Sequence, residues 1–264
     1  MRLKALLFIL FLFPLVAFAQ DKTLFKKEYF VINKDTLPLR VLYPEGFNKS
    51  KNYPLLIFLH GRGESGNDNE KQLLNGANLF LDNKNREAFP AVVVFPQCAT
   101  DSYWANVKIE TDEKGKRHFF FRKGGKPTKS MSLLLKYFDS VKRGQYIDPD
   151  RIYIMGLSMG GMGTLEILRR KPNDIAAAVA ICGGDNVANV RKYAGKVKLW
   201  IFHGEKDDIV SPQFSRDVIA ALQKRGASPR YTFYPNANHN SWNPAFAEKD
   251  LLPWLFGQIK NKGE

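Results

Sequence analysis

A serine flanked by glycines follows a strongly apolar run near the middle of the chain. Residues 156–160 read Gly-Leu-Ser-Met-Gly and place Ser158 in the pattern G-x-S-x-G. This pattern is typical of a sharp strand-to-helix turn that projects the serine hydroxyl from the top of a sheet, where the helix N-terminus favours negative charge. The alternative is a glycine-rich turn with a passive serine. If the rest of the chain supplies a base, an acid and an oxyanion hole, Ser158 is a nucleophile rather than a passive serine.

The acid and the base are expected farther along the chain. A serine hydroxyl is a poor nucleophile near neutral pH, so a histidine must take its proton and an acid must orient that histidine. After a turn of this kind the acid precedes the histidine. Asp207 and Asp208 follow an apolar run, and His239 lies in the loop after the last predicted strand. The spacing H-G-x-x-D-x-x-V, completed by Val210, favours Asp207, with Asp208 as the alternative. We therefore predict a catalytic triad of Ser158, Asp207 and His239.

The other histidines compete poorly for the role of base. His203 directly extends the apolar run 199–202 and is expected to pack beneath the site. His60 ends another apolar run and is expected to be a structural hydrogen-bonding group, and His118 lies out of order for a triad. His239 taken alone could equally be a histidine of a surface loop. The histidines lack the close spacing of a zinc site, so we predict no metal site.

Two backbone N–H groups are expected to bind the oxyanion of the tetrahedral intermediate. One belongs to Met159, the residue after the predicted nucleophile. The second is expected from the loop 60–65, which reads His-Gly-Arg-Gly-Glu-Ser after an early strand, because its glycines let amides turn inward. We predict the Arg62 N–H, with that of Gly63 as the alternative. The side chains of Arg62 and Glu64 either contact the substrate or form a surface ion pair.

Short apolar runs separated by helical patterns predict an α/β fold. Runs without polar alternation are typical of strands buried on both faces; they lie at residues 53–61, 89–97, 150–156, 175–184, 198–204 and 230–235. Helical patterns lie at residues 69–82, 131–143, 162–171, 215–226 and 247–260. This alternation predicts a mostly parallel central sheet flanked by helices. An antiparallel hairpin is predicted at its N-terminal edge, at residues 24–44.

Residues 104–126 interrupt the alternation and predict a hairpin insertion. Two strand-like runs flank the polar turn 112–117, and three phenylalanines lie at 119–121. The insertion also carries Lys114, Lys116, Arg117, Arg122, Lys123 and Lys126. It is either a solvated hairpin whose aromatic side chains pack onto the body, or a cover over the active site that contributes to substrate choice.

The N-terminus has the features of a secretory signal peptide. Arg2 and Lys4 precede an apolar run that ends in the small-x-small pattern at residues 17–19. The run is shorter than the roughly 20 residues that a spanning helix needs, and Pro14 interrupts it. We predict a signal peptide at 1–19, a single hydrolase domain at 20–264, no stable membrane anchor after cleavage, and export to the periplasm or the medium.

The chain is strongly basic. Its formal net charge is +14, or +12 without the two cations of the predicted signal peptide. Such a surface attracts acidic polysaccharide, anionic membranes or nucleic acid, or it is simply a solvated basic surface. No nucleic-acid-binding motif accompanies the charge, so we predict no nucleic-acid partner. Cys98 and Cys182 are the only cysteines, and both a disulfide and two buried thiols are compatible with the sequence.

Five segments together give the chain a family resemblance. They read LHGRGESG at 59–66, FPQC at 95–98, DPDRIYIMGLSMGG at 148–161, FHGEKDDIV at 202–210 and NHNSW at 238–242. The chain resembles the α/β-hydrolase superfamily, and within it the secreted esterases of the feruloyl-esterase and polyhydroxybutyrate-depolymerase type, often labelled predicted peptidases or dienelactone-hydrolase-like. The resemblance implies a Ser-acid-His carboxylesterase without cofactor. The insertion has no place in the family pattern that we recognise.

The residues and the resemblance together predict an exported serine carboxylesterase. The expected substrate is an acylated or acidic polysaccharide, or a related small ester, carrying acetyl or feruloyl groups. Trp104 and Trp242, together with Gly63 and Glu64, are candidate substrate contacts, although large aromatic residues are as often simple packing. The alternatives are a serine peptidase of the prolyl-oligopeptidase-like type, which usually has a gating domain, and a non-catalytic carbohydrate-binding protein on the same scaffold.

Overall fold

Within residues 21–260, which the computed structural model describes, eight strands form one sheet in the order β1-β2-β4-β3-β7-β8-β9-β10. The strands are β1 (Lys26–Ile32), β2 (Asp35–Leu42), β3 (Tyr53–Leu59), β4 (Val92–Pro96), β7 (Ile147–Leu157), β8 (Ala177–Ile181), β9 (Lys198–Gly204) and β10 (Arg230–Tyr234). The predicted signal peptide at 1–19 lies outside the described residues and stays a prediction.

The sheet is antiparallel at one edge and parallel elsewhere. β1 and β2 form the predicted N-terminal hairpin, and β2 also pairs antiparallel with β4. From β4 through β3, β7, β8 and β9 to β10, each neighbouring pair is parallel. This confirms the predicted α/β fold with a mostly parallel sheet. It also brings the carboxyl ends of the parallel strands to a common edge, where open α/β sheets bind ligands.

Helices cover both faces of the sheet. They are α1 (Ala77–Leu81), α2 (Asn83–Ala88), α3 (Lys129–Val141), α4 (Met159–Arg170), α5 (Pro212–Gln223), α6 (Trp242–Phe246) and α7 (Leu251–Phe256). Side chains of α3, α4 and α5 join one core with Leu55, Ile57 and Leu59 of β3, whereas α1, α6 and α7 join a second core with Leu56 and Phe58. Successive β3 residues therefore feed opposite cores, as the uninterrupted apolar run predicts.

Two of the predicted helices are broken, and this corrects the sequence prediction. At 69–82 the chain forms a 3-10 turn and then α1, because Gly76 adopts a φ of 85° that an α-helix cannot hold. A side chain there would also collide with the Phe58 ring. At 247–260 the helical pattern forms only α7, preceded by α6, because Pro253 lacks the N–H that a longer helix would need.

The insertion forms a separate two-stranded sheet, as predicted. β5 (Val107–Thr111) pairs antiparallel with β6 (Arg117–Phe121). Ala105 and Phe119 form a third apolar cluster with Met162 of α4 and with Val210 after β9. The hairpin therefore packs onto the elements that follow Ser158 and Asp207.

The two cysteines are buried free thiols in this structure, which answers the question that the sequence left open. None of the helices between residues 21 and 260 combines the length and the apolarity that a membrane crossing requires.

The start of α4 lies against the carboxyl end of β3 with no room for a side chain. A Cβ at Gly160 would overlap the Leu59 carbonyl and lie 2.8 Å from the His60 carbonyl oxygen. We predict that Gly160→Ala lowers the free energy of unfolding by about 2 kcal/mol or more, since backbone must shift to admit the methyl group. Urea denaturation would measure this. Gly63→Ala is the control, because no atom lies within 4 Å of a Cβ there; equal stability of the two variants would contradict the prediction.

Candidate active site

Three loops at the carboxyl edge of the sheet bring the predicted triad residues together. Ser158 follows β7, Asp207 follows β9 and His239 follows β10. Ser158 Oγ lies 2.8 Å from His239 Nε2, and His239 Nδ1 lies 2.8 Å from Asp207 Oδ2. The geometry is that of a proton relay in which Asp207 orients the imidazole. The catalytic roles of the three residues stay predictions.

Ser158 is held at a strained turn. Its backbone adopts φ 53° and ψ −117°, a conformation that an L-residue avoids unless the surroundings impose it. The Ser158 N–H donates to the Ile181 carbonyl oxygen at 2.8 Å, and the Ser158 carbonyl accepts from the Met162 N–H. These bonds tie the turn to β8 and to the first turn of α4. Ser158 remains partly exposed above the sheet.

Asp207 is buried, and both of its carboxylate oxygens accept hydrogen bonds. Oδ1 accepts from the Ile209 and Val210 N–H groups at 3.0 and 2.9 Å, and Oδ2 accepts from His239. Burial raises the pKa of Asp207, but the hydrogen bonds from His203, His239 and Val210 outweigh it and hold the pKa well below its usual range. The residue is therefore a carboxylate at any pH at which the protein would work.

Asp208, the alternative acid, points elsewhere. It is exposed, and its N–H donates to the Asn238 side chain at 3.2 Å. The structure thus brings Asp207 rather than Asp208 to His239, as the H-G-x-x-D-x-x-V spacing favours.

His203 contacts the same carboxylate from below. It is fully buried; its Nε2 lies 3.1 Å from Asp207 Oδ2 and 2.9 Å from the Val210 carbonyl oxygen. Nε2 faces two acceptors and therefore carries a proton. Its Nδ1 lies 2.7 Å from Ser215 Oγ. The sequence placed His203 beneath the site but did not show its bond to Asp207; the four-residue spacing of the two was the available signal.

The predicted oxyanion donors flank Ser158. Met159 begins α4, and Arg62 begins a 3-10 turn, Arg62–Glu64, directly after β3. A Cβ at Gly61 would lie 3.7 Å from Ser158 Cβ, so this loop and the serine are adjacent. Among the described residues, no acceptor takes the N–H of Met159 or of Arg62. Both groups stay predicted oxyanion donors.

The side chains of this loop do not form the surface ion pair that was one expectation. The Arg62 guanidinium donates to the carbonyl oxygens of Thr100 and Ser102, at 2.6 and 2.8 Å. Glu64 is buried and accepts a hydrogen bond from Asn75, and burial raises the pKa of its carboxyl group. Arg62 therefore fastens the neighbouring loop, and Glu64 lies under its own loop rather than at an open surface.

His60 is the structural hydrogen-bonding group that the sequence predicts. Its Nε2 accepts from the Cys98 N–H at 2.9 Å, and its Nδ1 donates to the Gly61 carbonyl at 2.6 Å. Burial lowers the pKa of His60 to about 4, so the ring is neutral. The ring thereby fixes the direction of the Gly61 peptide at the start of the predicted oxyanion loop.

The candidate substrate contacts differ in their positions. Trp242 is partly buried and packs edge-on against His239, with ring centroids 5.6 Å apart. Gly63 is exposed, with no atom near a hypothetical Cβ. Trp104 is fully buried against His60. Trp242 and Gly63 thus lie where a substrate can reach them. Trp104 and Glu64 are buried, and a substrate could contact them only after a rearrangement.

The hairpin forms one wall of a groove beside Asp207. This groove has a volume of about 330 Å³ and runs between β6 and the loop that carries Asp207 and Asp208. Phe119 packs inward, whereas Phe120 is 51% exposed. Lys116 and Arg117 are exposed at the same wall. The hairpin thus packs onto the body, as one of the two expectations has it. Because Asp207 lines the groove whereas Ser158 and His239 do not, a role as a cover over the active site stays a prediction.

Cys182, Asp207 and His239 are the one trio between residues 21 and 260 whose ligand atoms lie mutually within 4.8 Å, as a metal ion would need. Burial raises the pKa of the Cys182 thiol well above its usual value, which disfavours the thiolate that binds a metal. His239 Nδ1 is already bonded to Asp207. The trio fits a proton relay next to a buried thiol better than a resident metal site.

Comparison with known proteins adds a family match. The model of the dienelactone hydrolase family matches residues 92–250. The bifunctional acetylxylan esterase/xylanase XynS20E of Neocallimastix patriciarum is 32% identical over 207 residues, which are 75% of this chain and 27% of that protein. The chain thus spans about a quarter of the length of this relative.

Solved structures share the fold. A thermostable esterase is 31% identical, with a TM-score of 0.79 over 90% of this chain and 64% of that chain. The ferulic acid esterase AmCE1/Fae1A of Anaeromyces mucronatus, solved with ferulic acid, has a TM-score of 0.62 at 16% identity, covering 86% of this chain and 89% of that chain. The second likeness, at its low identity, shows the fold alone.

The two adjacent aspartates allow a matched test of the acid. We predict that Asp207→Ala lowers kcat on a small ester roughly thousandfold or more, because His239 loses its orienting carboxylate. Asp208→Ala, one residue away and exposed, should stay within about twofold of the parent, as a surface change without a partner in the relay. Steady-state kinetics measure both. Equal losses, or a larger loss for Asp208→Ala, would contradict the assignment.

The contact between His203 and Asp207 can be tested by measuring whether a substitution of His203 changes kcat, KM or both. A lost hydrogen bond to a charged group costs about 1.5–3 kcal/mol. We therefore predict that His203→Ala lowers kcat roughly 10- to 100-fold with KM on a small ester unchanged. His203→Gln, which keeps an N–H donor, should recover part of the loss. Both variants could instead have a lower melting temperature but the same kcat as the parent when they are assayed below that temperature. In that case His203 packs the core without positioning Asp207.

Proposed function

The chain belongs to the dienelactone hydrolase family and is an esterase-type hydrolase, and we propose that it is an exported serine carboxylesterase that removes acyl groups from polysaccharide. The observation that carries the proposal is the continuous relay from Ser158 Oγ through His239 to Asp207, with both links at 2.8 Å. A serine hydroxyl bonded to an imidazole that is itself bonded to a buried carboxylate is the arrangement that nucleophilic ester hydrolysis needs.

The first half of the reaction forms an acyl-enzyme. Ser158 Oγ attacks the ester carbonyl carbon while its proton passes to His239 Nε2. The imidazolium that forms is stabilised by the Asp207 carboxylate, which stays ionised. His239 then gives its proton to the departing alkoxide oxygen. The alcohol leaves, and the acyl group remains bonded to Ser158.

The second half repeats these steps with water. The oxygen of a water molecule attacks the acyl carbon while His239 takes a proton from that water. His239 then gives the proton to Ser158 Oγ as the bond between Oγ and the acyl carbon breaks. The carboxylic acid is released and the serine is restored. In both halves we assign the Met159 and Arg62 N–H groups to the oxyanion, since both flank Ser158 and neither has an acceptor among the described residues.

A neutral His60 supports this assignment. Its ring donates to the Gly61 carbonyl and so fixes the plane of that peptide, in which the Arg62 N–H points opposite to the carbonyl. The Arg62 side chain is fastened to Thr100 and Ser102. The loop therefore keeps its shape without help from the substrate, as electrostatic preorganisation requires.

The substrate class follows from the relatives and from the site. One relative is named as an acetylxylan esterase/xylanase, and a solved neighbour of the same fold as a ferulic acid esterase. In this chain, the exposed Phe120 lines the groove beside Asp207, and the partly buried Trp242 packs against His239. Such aromatic faces suit a sugar ring or an aromatic acyl group. We propose acetyl or feruloyl esters of a polysaccharide as the substrates.

Export is proposed from the sequence alone. The predicted signal peptide at 1–19 has a basic start, an apolar run and a small-residue cleavage pattern. A polysaccharide substrate outside the cytoplasm is consistent with it.

The alternatives are a serine peptidase and a non-catalytic carbohydrate-binding protein. Turnover of ester and amide substrates distinguishes both from an esterase.

A panel of substrates tests the function. Protein beginning at Gln20 would be assayed on acetyl, butyryl, longer acyl and feruloyl esters and on one peptide amide, beside Ser158→Ala. We expect hydrolysis of the short or feruloyl esters and a loss of at least about thousandfold in Ser158→Ala, which lacks the nucleophile. The dependence of kcat/KM on the acyl group would identify the natural acyl chain.

Ser228→Ala, at an exposed serine, is the control and should keep full activity. Hydrolysis of the amide without ester turnover would favour a peptidase. A folded protein without turnover on any substrate would overturn the esterase proposal and favour a binding role.

A further inference from the structure

A groove rich in cations lies at the far end of α4. It has a volume of about 560 Å³, and its lining includes Lys123, Arg169, Arg170, Lys171, Arg191 and Lys192. α4 begins at Met159 beside the serine, and a helix rises about 1.5 Å per residue, so its last residue, Arg170, lies about 17 Å along the axis from the site. The groove is therefore separate from the candidate active site.

Three separate segments supply the cations and are fastened to one another. Lys123 comes from the stem of the hairpin, Arg170 from the end of α4, and Arg191 from the 3-10 turn Val190–Lys192. Asn189 accepts from the Gly124 N–H at 2.9 Å and donates to the Arg122 carbonyl at 3.1 Å. Arg170 donates to the Gly125 carbonyl at 2.9 Å. These hydrogen bonds hold the segments that carry the cations in fixed positions relative to one another.

The positive charge of the groove is only partly neutralised from within the protein. Glu166 binds both Arg169 and Arg170 and can offset only one of them, and Asp139 offsets Lys171. Lys123, Arg191 and Lys192 have no carboxylate within 4.0 Å among residues 21–260. A helix C-terminus accounts for cations at the end of α4. It does not account for cations that other segments bring to the same groove.

A buried donor at the groove lacks an acceptor. The Arg169 side chain is only 8% exposed, yet it lines the groove, and its Nε has no hydrogen-bond partner among the described residues. An unsatisfied buried donor costs free energy. The same guanidinium donates to Glu166 through its NH2 group, so Arg169 is held in place at the wall of the groove. The attraction for a ligand therefore comes from the exposed cations around it.

We propose that this groove binds an acidic polysaccharide through its carboxylate groups, as a second site for the polymer whose acyl groups the active site removes. The choice of a polysaccharide rests on the proposed function. The groove is concave and within the usual size range of ligand sites, unlike a flat membrane-binding face. Leu135 and Ala188 add apolar surface between the cations, which suits the C–H faces of sugar rings. None of its described lining residues is aromatic, whereas single-stranded nucleic acid is bound by aromatic stacking.

The position of the groove gives it a consequence for catalysis. A polymer that spans the roughly 17 Å from the groove to Ser158 would hold its acyl groups near the serine, which would raise their effective concentration without any new contact at the ester. A small neutral ester gains nothing from the groove. The groove thus favours acidic polymers over small esters as substrates.

Binding of polygalacturonate by the full mature chain tests the proposal. We expect binding at low salt that weakens as salt rises, and none to a neutral glucan. The triple variant Lys123→Ala, Arg191→Ala, Lys192→Ala should bind about tenfold more weakly, since each exposed ion pair contributes a factor of about two. Its kcat/KM on a small neutral ester should equal that of the parent, which also shows that the variant folds.

A control variant with the same change in charge isolates the groove. Lys49→Ala, Lys51→Ala, Lys224→Ala removes three exposed cations elsewhere and should bind polygalacturonate nearly as the parent does. Equal weakening of the two triple variants, or equal binding of the neutral glucan, would overturn the proposal. So would tighter binding of DNA or of phosphatidylserine vesicles than of polygalacturonate at the same salt. If ester hydrolysis is absent but the groove variant alone loses binding, the groove stands and the esterase proposal fails.

Discussion

The hydrogen bonds that converge on the Asp207 carboxylate hold the candidate site together. Burial alone would favour a protonated carboxyl group, which could not orient His239. Donors from two directions reverse this: His203 from the core beneath, and the Ile209 and Val210 N–H groups from the same loop. The carboxylate that results fixes the His239 ring, and the ring in turn fixes the proton acceptor of Ser158. The geometry of the site therefore depends on a core histidine in β9 as much as on the three residues above it.

Close backbone packing is the second condition, and glycines provide it. Gly156 and Gly160 lie so near each other that a Cβ at the first would overlap the carbonyl of the second, and a Cβ at Gly161 would overlap the Ile181 carbonyl. α4 can therefore begin directly against β3 and β8. The strained backbone of Ser158 is maintained by this packing, since the turn has no room to relax.

The sequence predicted the features that depend on local patterns. The apolar runs identified the strands, and G-x-S-x-G and H-G-x-x-D identified the turns that carry Ser158 and Asp207. Features that depend on tertiary neighbours were not predictable. The break at Gly76 requires knowledge of the Phe58 ring, and the burial of Trp104 requires knowledge that α4 and His60 enclose it. The basic groove could not be predicted from the sequence either, because residues more than 60 positions apart form it.

The hairpin insertion connects the two regions that the sequence could not relate. Its strand β6 packs through Phe119 onto Met162 and Val210, next to the candidate site. Its stem bonds through Gly124 to Asn189, at the edge of the basic groove. A hairpin fixed at both places sets the spacing between the candidate active site and the basic groove. Substrate selection in this chain would then depend on that spacing, as well as on the residues around Ser158.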